Sequence, residues 1–164
     1  MNLRKAVQTD IDIIVEMYRS VTGLNHSLWT ADYPTRQNAL SDFRSGNLYV
    51  LENNNIIIGA CSVESESVFK NTDFWKINNG TQCEISRIVI SPEYQGNGYA
   101  KIMVGKLIEK LGENGCKSVH LYVVKSNIPA VETYKNLNFD FSGECSMFGH
   151  EYFAMEYIVN GKED

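Results

Sequence analysis

Residues 83–111 read CEISRIVISPEYQGNGYAKIMVGKLIEKL. From Cys83 to Ile90 the run is rich in Ile and Val and alternates, placing Cys83, Ile85, Arg87 and Val89 on one face and Glu84, Ser86, Ile88 and Ile90 on the other. This is the pattern of a strand that carries a carboxylate on a partly apolar face. Ser91-Pro92 breaks the run, and after Gln95-Gly96-Asn97-Gly98-Tyr99-Ala100 the residues Met103, Leu107 and Leu111 recur at helical spacing, with Val104 and Ile108 beside them. The glycines therefore fall where a strand gives way to a helix.

The start of a helix presents backbone N–H groups that lack intrahelical acceptors, and the aligned peptide dipoles make that end partly positive. Such an end attracts anions. Gly98 has no Cβ and Ala100 only a methyl, so a phosphate could approach the amides closely. The other reading of Gly-Asn-Gly is a plain turn. Two familiar phosphate motifs do not match: a dinucleotide fingerprint needs a third glycine where Lys101 stands, and a Walker-type loop needs Gly-Lys-Ser/Thr, which is missing from the chain.

The stretch resembles the GNAT superfamily of N-acetyltransferases. Its signature is Gln or Arg, two residues, Gly, one residue, then Gly or Ala, and it matches Gln95-Gly96-Asn97-Gly98-Tyr99-Ala100. In several members a glutamate precedes that Gln on the central strand by about the spacing that separates Glu84 from Gln95. Further on, NIPAVETYKNLNF, from Asn127 to Phe139, is similar to the family's Asn, Ala, Tyr, Gly-Phe segment, with Tyr134 in the tyrosine position and Asn138 in place of the usual Gly.

The 164 residues are the length of one domain, and a single domain over 1–164 is expected. A hydrophobic content of 43%, with nine Tyr and seven Phe, argues for a packed core rather than a disordered chain. No apolar run is long enough to cross a bilayer and MNLRKAVQTD lacks a signal-peptide core, so no membrane and a cytoplasmic location are expected. Cys61, Cys83, Cys116 and Cys145 form no CxxC pair, which predicts reduced, partly buried thiols and no metal. The net charge of −5, without a basic block, makes nucleic acid a poor partner and suits an amine-bearing substrate.

Outward from the central stretch, Asn2 to Val7 reads as a first strand. Thr9, with Asp12 three residues on, reads as the cap of a helix whose stripe is Ile11, Ile14, Val15 and Tyr18 and which ends around Gly23. Tyr33-Pro34-Thr35 opens a second helix stopped by Gly46. Asn47–Glu52 and Ile56–Glu64 form a hairpin around Asn53-Asn54-Asn55, with a bulge at Gly59. Residues 65–81, which hold Phe69, Phe74 and Trp75, fit either a loop or a strand extension. Ser118 to Val124 is a buried strand, Asn127 to Leu137 a helix, Asn138–Cys145 and His150–Val159 a closing antiparallel pair, and Asn160–Asp164 a frayed tail. The order predicts a mixed α/β sheet of about seven strands with four helices, the fold of the family it resembles.

Transfer of an acetyl group to an amine needs a held thioester, a neutral amine and stabilisation of charge on the carbonyl oxygen and departing sulfur. The resemblance implies acetyl-CoA as the donor. Backbone amides of Gln95, Gly96, Asn97, Gly98, Tyr99, Ala100 and Lys101 would take its pyrophosphate. Main-chain groups of Ile88, Val89 and Ile90 would take the pantetheine arm, with an amide near Ile88 on the thioester carbonyl and Asn127 beside the cofactor. It also implies Glu84 as general base and Tyr134 as the acid that protonates the thiolate. A solvated Glu84 and a core Tyr134 are the competing readings. Trp29 and Tyr33, between the first two helices, either line the acceptor pocket or cover the core. His26, His120 and His150 have no spaced partner, and His120 is the one placed on a strand beside the cofactor cleft.

The reading is therefore an N-acetyltransferase acting on a primary amine of a small molecule or a protein, and exposed late strands admit a homodimer. Two other classes stand beside it: a non-catalytic acyl-CoA sensor using the same residues, and an interaction protein that presents the aromatic segment 65–81.

Overall fold

The residue that ends each element shows why the chain folds where it does. In the computed structural model, which describes residues 1–24, 26–64, 73–79 and 81–159, Thr35 accepts from the Asn38 N–H while Asn38 bonds back to the Thr35 N–H at 2.8 Å. This reciprocal pair starts α2 (Arg36–Arg44), and Gly46 at φ 69° stops it. At the first helix the expected Thr9 cap is replaced. A short 3-10 turn spans Gln8–Asp10, the Asp10 carboxylate accepts from the Val7 N–H at 2.8 Å, and Arg4 holds the same carboxylate at 2.6 Å. Helix α1 (Ile11–Val21) follows, burying Ile11, Ile14, Val15, Met17, Tyr18 and Val21.

The described strands are β1 (Asn2–Lys5), β2 (Leu48–Asn53), β3 (Ile56–Glu64), β4 (Gln82–Ile90), β5 (Ser118–Val124), β6 (Asp140–Met147) and β7 (His150–Ile158), with α3 (Tyr99–Glu113) between β4 and β5 and α4 (Ile128–Asn136) between β5 and β6. They form one mixed sheet in the order β1-β2-β3-β4-β5-β7-β6. The β2–β3 turn uses Asn54 and Asn55 at φ 50° and 65°, the left-handed pair that a two-residue hairpin requires. Pairing shifts between Leu51↔Gly59 and Glu52↔Ile57, so the extra residue of the bulge is Ile58, one position before the Gly59 at which it was expected. Asn138 sits at φ 65°, an angle that Asn tolerates, which explains how it stands in for glycine.

The chain divides into two compact units. The first comprises Met1–Val63 and Ser86–Met103. Its core gathers the buried stripe of α1 with Ala39, Leu48, Val50, Ala60 and Val89. Gly59 is the tight point: a side chain there would start 2.6 Å from Ile90 Cδ1 and 3.0 Å from the Val89 carbonyl. The second comprises Glu64–Ile85 and Val104–Asp164. It buries Leu107, Val119, Leu121, Val131, Phe139, Ala154 and Met155, and its β5–β7 ladder runs from Ser118↔Ile158 to Val124↔Tyr152. β4 and α3 each contribute residues to both units.

Strict alternation does not carry through β4. Arg87 has φ 47°, and one left-handed residue interrupts the two-residue repeat, so the faces assigned before and after it do not share one phase. Residues 65–72 lie outside the described residues, and with them Phe69 and about half of the unassigned segment 65–81, as do 160–164, where a frayed tail was expected. No helix among the described residues is long and apolar enough to cross a membrane.

Candidate functional site

In the first unit, Pro92–Tyr94 forms one 3-10 turn, and the chain then passes through Gly96 at φ 75° and Gly98 at φ 78° into α3. Among the described residues, a Cβ added at either glycine would meet nothing within 4 Å, so the backbone here is open to an approaching group. The Ile102 N–H bonds back to the Gly98 carbonyl at 3.2 Å, which leaves the N–H groups of the preceding turn without acceptors inside the helix. The side chains of the loop act on the loop itself. Gln95 Nε2 donates to the Ile90 carbonyl at 2.9 Å, and Asn97 Nδ2 donates to the carbonyls of Tyr94 and Gln95. Tyr99 packs against Tyr94. This arrangement can receive an anion on main-chain amides, with Gln95 fixing the loop to the end of β4.

The same unit holds a charge pair that the sequence did not reveal. Arg87 donates from Nε to Asp42 Oδ2 and from Nη2 to Asp42 Oδ1, both at 2.8 Å, a bidentate fork. The two side chains are 9% and 12% exposed. Ser62 donates to Asp42 Oδ2 at 2.6 Å, and Arg87 Nη1 donates to Tyr33 Oη at 3.1 Å. Tyr33 is thus exposed but tied to β4 through its hydroxyl. Trp29 lies edge-on to Tyr18, ring centres 5.4 Å apart, and packs on the core cluster, as in the reading that has it cover the core.

In the second unit, β4 and β5 pair in parallel, with Gln82, Cys83 and Glu84 opposite Ser118, Val119 and His120. His120 in turn stands opposite Glu156 of β7. Glu84, His120 and Glu156 therefore stand abreast on three neighbouring strands, and all three are buried. Glu84 is not the solvated strand-end residue that the competing reading supposed. His120 has a partner, Glu156, with Nε2 3.2 Å from Oε1. Trp75 stacks on the imidazole at 3.8 Å.

Glu156 went unnoticed in the sequence, although in HEYFAMEYI it shares a strand face with the buried Ala154. Its carboxylate accepts from the N–H groups of Lys76 and Ile77, at 2.9 and 3.1 Å, and from Ser118 Oγ at 2.8 Å. Burial alone would push its pKa up, but the Lys76, Ser118 and Ile77 hydrogen bonds and the His120 ring outweigh that and leave it below the ordinary value. Burial pushes His120 the other way, below its ordinary value, against the pull of Glu156. This pair of groups holds residues 76–77 against the sheet.

Tyr134 is buried on α4 and packs edge-on against Phe139, centroids 5.8 Å apart. Asn127 caps α4, its Oδ1 accepting from the Ala130 N–H at 3.2 Å. An open groove of about 480 Å³ is lined by Trp75, Lys76, Ile77, Thr81, Lys117 and others, but not by Glu84, Tyr134 or Asn127. His26 and His150 are exposed.

The profile of the acetyltransferase (GNAT) family matches residues 14–139. Among curated relatives, the spermine/spermidine N(1)-acetyltransferase of Bacillus subtilis is 32% identical over 80 residues, 48% of this chain and 53% of that protein. The chain thus spans about half the length of the curated relatives it matches first. Among solved structures, a GNAT-family acetyltransferase from Streptococcus agalactiae superposes with a TM-score of 0.80 at 20% identity, covering 97% of this chain and 95% of the other. A protein from Salmonella typhimurium whose structure holds its cofactor acetyl-CoA superposes with a TM-score of 0.76 at 19% identity, covering 98% and 94%.

Proposed function

The chain belongs to the acetyltransferase (GNAT) family, and from that premise we propose that it moves an acetyl group from acetyl-CoA to a primary amine of a small molecule or protein by direct attack, as one catalytic domain. The observation that carries the proposal is the entry to α3. Two glycines at positive φ, with no described atom near an added Cβ at either, lead into a 15-residue helix whose first-turn amides lack intrahelical acceptors. That cradle fits a diphosphate, because close approach of phosphate oxygens to amides is what a side chain at Gly96 or Gly98 would obstruct.

In this reading the amides from Gln95 through Lys101 hold the pyrophosphate. The main chain of Ile88, Val89 and Ile90 holds the pantetheine arm, and Asn127, the cap of α4, is assigned to the cofactor as well. Acetyl-CoA, when bound, supplies the acetyl group as an activated thioester. The Ile88 N–H donates toward the carbonyl oxygen as charge builds there. Glu84 takes the proton from the attacking nitrogen, directly or through one water, and Tyr134 gives its hydroxyl proton to the departing sulfur. The burial of Glu84 supports its role, since a carboxylate shielded from bulk water keeps its proton exchange for the substrate. The edge-on seat of Tyr134 against Phe139 fixes the direction of its ring.

The name of the B. subtilis relative and the net charge of −5 both favour a cationic acceptor. The test is a thiol-release assay with acetyl-CoA across polyamines, aminoglycosides, amino acids and peptide N-termini. Release that depends on one amine class supports transfer and identifies the acceptor. Acetyl-CoA binding without amine-dependent release for any class would favour a sensor.

A further inference from the structure

We propose that Arg87, held by Asp42, is a positioning residue for this reaction: the ion pair maintains the left-handed turn in β4 that aims the Ile88 amide. The inference rests on the reaction proposed above. A non-glycine residue at φ 47° inside a strand is unfavourable by itself and persists only where its surroundings fix it. Here the surroundings are specific. The planar guanidinium meets both Asp42 oxygens at 2.8 Å, with both side chains nearly withdrawn from solvent. The carboxylate is itself fixed by Ser62 at 2.6 Å and carried on α2.

The peptide that joins Arg87 to Ile88 contains the Ile88 N–H, so the backbone angles of Arg87 set where that donor points. Were Arg87 to relax to ordinary strand angles, the peptide would turn and the donor would point in a different direction. The remaining guanidinium nitrogen donates to Tyr33 Oη, so the segment between α1 and α2 is tied to the same turn.

A pair that merely stabilised the fold would respond to loss of the side chain whatever replaced it. The proposed role makes a different demand, because glycine adopts φ near 47° without steric cost and alanine does not. Arg87→Ala should lower kcat by about tenfold or more while KM for acetyl-CoA changes less than about twofold, in keeping with a misdirected donor. Arg87→Gly removes more of the side chain, yet should keep kcat several-fold above that of Arg87→Ala. Asp42→Asn, nearly isosteric, should fall on the side of Arg87→Ala. In the unliganded protein, the Ile88 amide cross-peak in a nitrogen–proton spectrum should move in Arg87→Ala and return towards its native position in Arg87→Gly.

A glycine variant no better than the alanine variant, or an Ile88 amide unmoved in Arg87→Ala, would overturn the assignment. If the native protein turns over no thioester with any amine, the reaction is wrong; the spectra still decide whether Arg87 sets the Ile88 amide.

Discussion

His120 and Glu156 face each other across β5 and β7, Nε2 to Oε1 at 3.2 Å, with 2% and 1% of their side chains exposed. Each is held away from its ordinary titration, and in both cases folding opposes proton uptake. For Glu156, whose folded pKa lies below the usual 4.5, the stabilisation is present above that value and is lost as pH falls through the folded one. For His120, lowered from 6.5, the unfolded chain takes up its proton first, so stability declines as pH falls below 6.5. Denaturant unfolding from pH 8 to 4 should show stability falling in acid from about pH 6.5. His120→Asn should remove the part of the slope nearest neutrality. A native profile that stays flat as pH falls through 6.5 would contradict the downward shift of His120.

Removing the charge of Glu156 leaves buried donors poorly matched. Glu156→Gln should cost about 2–4 kcal/mol at pH 7, because one oxygen that accepts from a main-chain or Ser118 donor becomes an NH₂ group. Chemical denaturation at pH 7 measures it.

Gly59 tests packing in the first unit. A side chain there would start 2.6 Å from Ile90 Cδ1, 3.0 Å from the Val89 carbonyl and 3.3 Å from Met103 Sδ. Gly59→Val should destabilise by about 2 kcal/mol and lower the thermal midpoint by roughly 5 °C. Calorimetric melting checks this.

At Gly98 the opposite geometry applies. Among the described residues nothing lies within 4 Å of an added Cβ, so the main cost of Gly98→Val is the strain at φ 78°, about 1–2 kcal/mol. The protein should remain folded at room temperature and lose acetyl-CoA affinity by about tenfold or more. Isothermal titration measures the affinity, and retained binding would remove the cradle from the account.

Tyr134→Phe keeps the ring against Phe139 and removes the hydroxyl alone. Stability should fall by no more than about 1.5 kcal/mol, the worth of one hydrogen bond, while kcat should fall by about a hundredfold if the hydroxyl is the acid. Glu84→Gln should remove the acidic limb of the kcat/KM pH profile. An unchanged profile would assign the base elsewhere.

The fold was legible because its punctuation is local. Thr35, Gly46, Asn54-Asn55 and the glycines before α3 each specify a turn from the residue type itself, and the stripes of α1 and α3 follow from spacing. What escaped depends on pairing across long separations. Asp42 and Arg87 lie 45 positions apart, and Ser118 and Glu156 lie 38 apart, so no window on the chain joins them. The Thr9 cap failed for a related reason: Arg4 reaches Asp10 from β1 and makes that carboxylate the better terminus. The left-handed Arg87 carries no local signal, since its stability comes from Asp42. Among the candidate residues, Asn127 and Gln95 also serve the backbone around them, roles that spacing alone does not distinguish from ligand contacts.

The most direct measurement is a single-turnover experiment with acetyl-CoA labelled in its acetyl carbon and a polyamine as acceptor, read by mass spectrometry and thiol release together. The account predicts that label appears on an amine nitrogen in equal amount to the thiol released, at a rate that falls in Tyr134→Phe. Thiol release without labelled amine for every acceptor class, or labelling unaffected by Tyr134→Phe and Glu84→Gln together, would contradict it.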